Sequence, residues 1–281
     1  MSDNYVSWEE AVAWLVAQPD KQELVRDCYY DSSPLVAAER YSQSDEWTAI
    51  RALLPAVPGR ALDVGAGRGI ASYALANAGW SVVAIEPDPS NFVGRGAIRN
   101  IAQSKGLPIE TLEEFGERIP CDSVSFDLVL ARQVLHHARD LPALCTEAFR
   151  VLKPGGTFVA VRDHVISSPG DLPAFFQIHP LHQLYGGENA LQARQYLDAL
   201  RAAGFHVEKT LRSFDSVINY APQSRASLRN ELQRRLGRVP LGRIAGQCLH
   251  FEVILDMALA ILSRVDRRPG RLYSFICSKP R

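Results

Sequence analysis

Residues 61–71 read ALDVGAGRGIA, with glycines at 65, 67 and 69 in the spacing G-x-G-x-G. Ile70 stands where the dinucleotide fingerprint G-x-G-x-x-G places its last glycine. Glycines at such a turn let backbone approach a ligand with no Cβ in the way. Two carboxylates frame the loop: Asp63, two residues before the first glycine, and Glu86, nineteen residues after Gly67 and followed by Pro87. A carboxylate at Glu86 suits both hydroxyls of a ribose, which any adenosine cofactor carries. Asp63 discriminates among such cofactors, because it repels the pyrophosphate of a dinucleotide and favours the ammonium and sulfonium of S-adenosylmethionine. The chain also holds one such half where a dinucleotide site uses two. S-adenosylmethionine is the expected cofactor.

Histidines supply the rest of the chemistry. In-line methyl transfer needs the acceptor atom about 3 Å from the methyl carbon, and a base where the acceptor is a hydroxyl. His136 and His137 follow the apolar stretch SFDLVLARQ, and His164 ends TFVAVRDH. His137 and His164 are the expected catalytic bases, since imidazole titrates near neutrality; the alternative is a packing role with one ring bonded to backbone. His136 is assigned to the substrate wall, together with His179, His182, Tyr185 and Glu188 of the tract HPLHQLYGGEN. The alternative there is an ordered loop with Glu188 in the first turn of a helix. His179, His182 and Glu188 also resemble a metal-ligand set. H-x-x-H brings two imidazoles together less well than i,i+4 spacing, and Pro180 between them disfavours a regular helix, so no metal is expected.

These groups need a scaffold that sets them at element ends. A Ser7 cap and helical apolar spacing predict a helix over 7–18, and Ser44 with an acidic first turn predicts another before Pro55. A βα alternation follows: strand RALDVG, helix GIASYALANAG, strand SVVAIEP, helix SNFVGRGAIRNIAQSKG, strand SFDLVLARQ, helix DLPALCTEAFRVLKPGG, strand TFVAVRDH. Strands rich in Val, Ile and Leu between helices imply a parallel sheet covered on both faces. Residues 165–187 read as a Pro/Gly/His loop over the cleft, 188–204 as a helix, FHVEKTLRSF and RLYSFICSKP as strands. The expected organisation is an N-terminal helical cap (1–55), a cofactor-binding core (56–164) and a C-terminal part of the same domain (165–281). That last part carries the substrate loop (165–187) and an arginine-rich helical insert (222–268).

Composition excludes several classes. Lys+Arg and Asp+Glu both total 31, so no bulk charge draws the chain to nucleic acid or to a membrane. The apolar run FEVILDMALAIL is interrupted by Glu252 and Asp256 and is too short to span a bilayer. The opening MSDNYVSWEE has no secretion signal. Five cysteines with no C-x-x-C fit reduced thiols, so a cytoplasmic location is expected. Cys121 follows Pro120 as in cytosine-C5 methylating enzymes, but precedes a strand, and is read as a small buried thiol.

The blocks LDVGAGRG (62–69), VVAIEPDPS (82–90), GERIPCDSVSFDLVLARQVLHHARD (116–140) and EAFRVLKPGG (147–156) resemble, in order and spacing, the class I S-adenosylmethionine-dependent methyltransferases. Within them the likeness is to the small-molecule group allied to ubiquinone- and menaquinone-pathway enzymes. The resemblance covers residues 56–162 and implies a doubly wound, Rossmann-like α/β fold with a seven-stranded sheet. Carried over by position, Gly65, Ala66 and Gly67 lie against the methionine part, Asp63 faces its amino group, and Glu86 with Pro87 meets the ribose. Gly116 and Glu117 lie beside the adenine, and Ala131 with Arg132 meets the methionyl end. The family usually has an acidic residue just before Gly116; this chain has Phe115, so Glu114 or Glu117 must serve or the contact is lost. The expected activity is methyl transfer to a small-molecule acceptor, O-directed. The alternatives are a non-catalytic cofactor-binding interaction protein, or an RNA or protein methyltransferase. Nucleic acid is disfavoured because the insert, with nine Arg and no Lys, has few aromatics to stack bases.

Overall fold

The computed structural model describes residues 5–238 and 246–281; residues 1–4 of the expected cap and 239–245 of the expected insert lie outside them. Strands β1 (Arg60–Val64) and β2 (Ser81–Ile85) are each buried after their first residue. They are followed by β3 (Ile109–Leu112), β4 (Phe126–Arg132), β5 (Leu152–Ile166), β6 (Leu191–Gln192), β7 (His206–Leu211) and β8 (Arg271–Ser278). The sheet order is β3-β2-β1-β4-β5-β8-β7, with β6 paired to the far end of β5. The first five strands run parallel, and β8 lies antiparallel between β5 and β7. This is a doubly wound α/β fold, in which the expected seven strands are joined by a two-residue eighth.

Helices cover both faces, which is why the strands are apolar without alternation. On one face Leu62, Val64, Val129 and Phe158 pack under α7 (Leu141–Val151) and α10 (Ala193–Ala202). On the other, Ala61, Leu128, Leu130 and Val161 meet α3 (Pro34–Ser42), α4 (Asp45–Arg51) and α5 (Ile70–Asn77). Each Leu, Val or Phe so buried contributes about 1.5–3 kcal/mol.

The first helices do more than cap the sheet. Ser7 and Glu10 form a capping box on α1 (Trp8–Val16), and Ser44 caps α4 through the Trp47 N–H, as the sequence predicts. Helices α1 and α2 (Gln22–Asp27), however, pack with Val93 and with α9 (Pro180–Leu184). Cap and C-terminal segment thus close together beside the residues that follow β2.

Three expectations are corrected here. Helix α6 (Arg95–Lys105) starts later than expected, because the Asp88 side chain accepts from Ser90 N–H and its carbonyl from Arg95 N–H, which fixes a turn first. The stretch 165–187 contains α8 (Leu172–Phe176) and α9; Pro180 starts α9 rather than preventing it, since the first helical position needs no N–H. The helix expected from 188 begins at Ala193, so Glu188 is in a turn and not in a first helical turn. Helices α11 (Val217–Tyr220) and α12 (Arg225–Leu236) and a last helix, Glu252–Val265, complete the described chain.

Candidate functional site

Strand order reverses between β1 and β4, and the cleft at such a point lies outside the carboxyl ends of the strands. The glycine loop leaves β1 there. Gly65, Gly67 and Gly69 all have φ between +53° and +85°, the left-handed region glycine enters freely. A Cβ at Gly65 would strike Val134, whereas at Gly67 the nearest atom would be the Val93 carbonyl at 3.9 Å. Gly65 is therefore a packing glycine, and Gly67 faces open space. The Ala66 N–H donates to the Ile85 carbonyl at 3.0 Å, which ties the loop to β2.

Glu86 is buried at the end of β2, beside Pro87. Its Oε2 accepts from Gly67 N–H at 2.7 Å and its Oε1 from Asp88 N–H at 2.9 Å. Burial pushes its carboxyl up to about 7 against the pull of those two N–H groups. Asp63, also buried, accepts from the Ser72 hydroxyl at 2.6 Å, and burial raises it to about 7 as well. Two acidic groups short of a counter-cation flank a loop with open space at its centre. A ribose with a cationic tail fits them.

The adenine side departs from expectation. A Cβ at Gly116 would meet Val64 and Leu144, so this glycine lets the segment pack against β1 and α7. Glu114 is engaged by Arg118 at 2.6 Å, and Glu117 Oε1 accepts from the N–H groups of Arg139 and Asp140. Phe115 is half exposed, with the Arg139 guanidinium over its ring. Ala131 is fully buried in the core beneath α7, which leaves only its backbone for a ligand.

The Arg132 side chain turns to the cap. Its guanidinium forks onto buried Glu46 of the cap at 2.7 and 3.2 Å, above the rings of Tyr29 and Tyr41. Burial alone would raise Glu46, but Arg132 and Arg162 beside it hold the carboxylate below its ordinary range. Arg68, inside the glycine loop, donates to the carbonyls of Tyr29 and Asp31, both at 2.9 Å. The sequence reading missed both ties. The only local signal for Glu46 was its place in an acidic first turn, which has a sufficient explanation in helix capping.

The histidines converge. A bulge in β5 at Arg162, whose φ is +64°, shifts the register with β8 between Ala160 and Asp163 and re-aims the residues after it. His164 then packs at 4.7 Å from the His136 ring and 5.6 Å from that of His182. His136 and His182 are buried, and the Glu188 side chain is 6% exposed. His137 is exposed, with Nδ1 2.9 Å from the Gly187 carbonyl. Burial pushes His164 down to about 3, which makes it a poor proton acceptor at neutral pH and weakens its assignment as a base. His179 caps α9 through the Leu181 N–H, its ring lies 5.3 Å from that of His182, and its Nε2 lies 3.7 Å from Cys28 Sγ. Tyr185 packs edge-on to Trp8 of α1.

The arginines of α12 are paired within the chain: Arg225 with Glu252 and Asp256, Arg229 with Glu252, Arg234 and Arg235 with Glu231. All five cysteines are free thiols. Among the described residues, no helix is long and apolar enough to cross a membrane.

Residues 62–160 match the family described as "Methyltransferase domain". The chain is 38% identical over 105 residues to the ubiquinone biosynthesis O-methyltransferase of Methylobacterium nodulans, covering 35% of this chain and 39% of that one. With the enzyme of the same name from Rhizobium etli the identity is 32% over 102 residues, or 36% and 40% of the two chains. The chain thus matches about two fifths of the length of these relatives. Among solved structures, geranyl diphosphate C-methyltransferase from Streptomyces coelicolor, in complex with S-adenosyl-L-homocysteine, superposes with a TM-score of 0.55. Identity there is 14%, and 83% of this chain and 74% of that one are covered. The [4+2]-cyclase SpnF superposes at 0.56, with 21% identity and coverage of 84% and 80%.

Proposed function

We propose that the chain, whose residues 62–160 match the methyltransferase domain family, transfers a methyl group from S-adenosylmethionine to an oxygen of a small-molecule acceptor. The observation that carries this reading is Glu86, a buried carboxylate whose Oε2 receives the Gly67 N–H. Each of its oxygens has a lone pair left for a ribose hydroxyl. Asp63 would attract the ammonium of the cofactor, and the backbone of Gly65–Gly67 would line its methionine part. Gly116, Glu117 and the Ala131 backbone complete the expected set. The cofactor, when bound, supplies a methyl group on a positively charged sulfur.

Support for a small acceptor comes from the packing above. Helices α1 and α2 with α9 pack beside Val93, which follows β2, and the four arginines of α12 are engaged by three carboxylates of the same chain. Support for oxygen comes from the two O-methyltransferase relatives, within the shared two fifths of their length. His137, exposed where β4 ends, is the base in this reading; His136, His182, Tyr185 and Glu188 form the acceptor wall. Incubation of the protein with methyl-labelled S-adenosylmethionine and fractionated lysate tests it. Label in an O-methylated small molecule is the expected result. Label confined to RNA or protein overturns the acceptor class, and cofactor binding with no labelled product anywhere replaces the reading with a non-catalytic one.

A further inference from the structure

The hydrogen-bond directions around Glu188 are not satisfied by protein atoms alone. His164 Nδ1 lies 2.9 Å from the Gly270 carbonyl, and His182 Nδ1 lies 3.2 Å from the Phe175 carbonyl. A carbonyl only accepts, so in both rings the proton sits on Nδ1, and Nε2 of the neutral ring is a bare lone pair. His136 Nδ1 lies 2.9 Å from Asp163 Oδ1, which also receives the backbone N–H of His136 and so acts as an acceptor. In each of the three rings, when neutral, Nε2 is therefore an unprotonated acceptor. Two of them face another acceptor: Glu188 Oε2 lies 3.9 Å from His136 Nε2 and 3.8 Å from His182 Nε2, beyond hydrogen-bond reach. That oxygen has no hydrogen-bond partner, on a side chain only 6% exposed. Acceptors gathered around an unpartnered buried carboxylate oxygen repel one another, and each forgoes its hydration.

A cation at the centre resolves it. We infer that His136, His164 and Glu188 bind a divalent first-row transition ion of the zinc type, with His182 as the fourth ligand. Ligand atoms of the first three lie within 4.8 Å of one another. An imidazole-rich set with one carboxylate and no thiolate suits zinc, cobalt, nickel or ferrous iron, and suits magnesium or calcium poorly. Each ring also has what a metal-bound histidine needs, a carboxylate or carbonyl that fixes the tautomer and aims the other nitrogen. Tetrahedral ligands about 2.0–2.1 Å from an ion are roughly 3.3 Å apart, so the set draws inward on binding. His136 and His164 are held beside β4 and on β5, and the turn carrying Glu188 makes the approach. The expectation of no metal rested on His179, His182 and Glu188 alone; the sheet brings in His136 and His164, while His179 uses Nδ1 to cap α9 and has Nε2 beside Cys28.

Cofactor binding in the methyltransferase reading does not require this ion, whereas the acceptor wall shares His136, His182 and Glu188 with it, so ion binding and cofactor binding are measured apart. The test is calorimetric titration of the chelator-stripped full chain with Zn2+, beside the Glu188→Gln variant, and absorption spectroscopy of the wild type with Co2+. The expected result is one equivalent bound with a Kd below about 1 µM, weakened on the order of 100-fold in Glu188→Gln. Binding of S-adenosylhomocysteine stays within about threefold in that variant, because Glu86 and the glycine loop are untouched. The Co2+ form should show d–d bands without a thiolate charge-transfer band, a readout that holds even if the variant fails to fold. Binding no tighter than about 100 µM, equal binding by wild type and Glu188→Gln, or a thiolate band from one of the free cysteines means an adventitious ion only and overturns the inference.

Discussion

The two sides of the cleft are built from different materials. The cofactor side is backbone and carboxylate on one continuous stretch, from Asp63 through the glycine loop to Glu86, with Gly67 N–H and Glu86 Oε2 2.7 Å apart. The histidine side is assembled from pieces far apart in the chain: the turn after β4, the bulged end of β5, helix α9 and the turn before β6. The first side depends on local conformation and the second on sheet order. The cap bridges them, since Glu46 pairs with Arg132 of β4 and lies 3.5 Å from Arg162 of β5.

That bridge gives the largest expected effect. Glu46→Ala leaves two buried guanidinium groups without their shared carboxylate and should cost about 3–5 kcal/mol of stability. At about 2–4 °C per kcal/mol for a chain of this size, Tm should fall by roughly 10 °C. A thermal melt unchanged within about 2 °C would mean that cap and strands are held some other way.

On the cofactor side, Glu86→Ala should weaken S-adenosylmethionine binding by about two orders of magnitude, from the loss of two charge-assisted bonds to the ribose. Glu86→Gln should lose less, keeping one acceptor. The sequence alone suggests that folding is indifferent to this residue, but the Gly67 and Asp88 N–H groups both donate to it. Glu86→Ala should therefore also cost about 1–3 kcal/mol of stability. Calorimetry and a denaturant titration read the two effects independently.

The two sides also differ in pH response. Glu86 and Asp63 both stand near 7 in the free protein, raised by burial. A cationic cofactor favours their ionised forms, so affinity should rise with pH through 7 and fall on the order of tenfold per carboxylate between pH 8 and pH 6. His164, already near 3, contributes nothing in that window. A flat Kd profile over the range would show that neither carboxylate touches the ligand's charge. The smallest effect belongs to Phe115. Phe115→Asp should restore the missing acceptor for the adenine amine and tighten cofactor binding severalfold, by about 1 kcal/mol; a weaker complex would mean that the ring itself forms the adenine wall.

What the sequence made legible follows the same division. The strands around the glycine loop, the Ser7 and Ser44 caps and the position of Glu86 could all be read from residues near one another in the chain, because apolar runs, caps and glycine turns are local signals. Strand β3, with no fully buried residue, gave too little periodicity to recognise. What the Arg132 side chain touches could not be read for a different reason. Its position on β4 is local information, but the direction of its side chain depends on a carboxylate from the cap. The histidine cluster shows the limit most clearly. Each member was identified as a candidate, yet their meeting depends on a bulge in β5 and on Pro180 starting a helix, and neither fact can be read from residue spacing.

The central claim is that the loop between β1 and α5, read with Glu86, is an S-adenosylmethionine site and not a dinucleotide site. Calorimetric titration of the wild-type chain with S-adenosylmethionine and, separately, with NAD tests it most directly. The account predicts a single S-adenosylmethionine site with a Kd on the order of micromolar and no heat from NAD, whose pyrophosphate would meet Asp63. Tight NAD binding with no response to S-adenosylmethionine would contradict it.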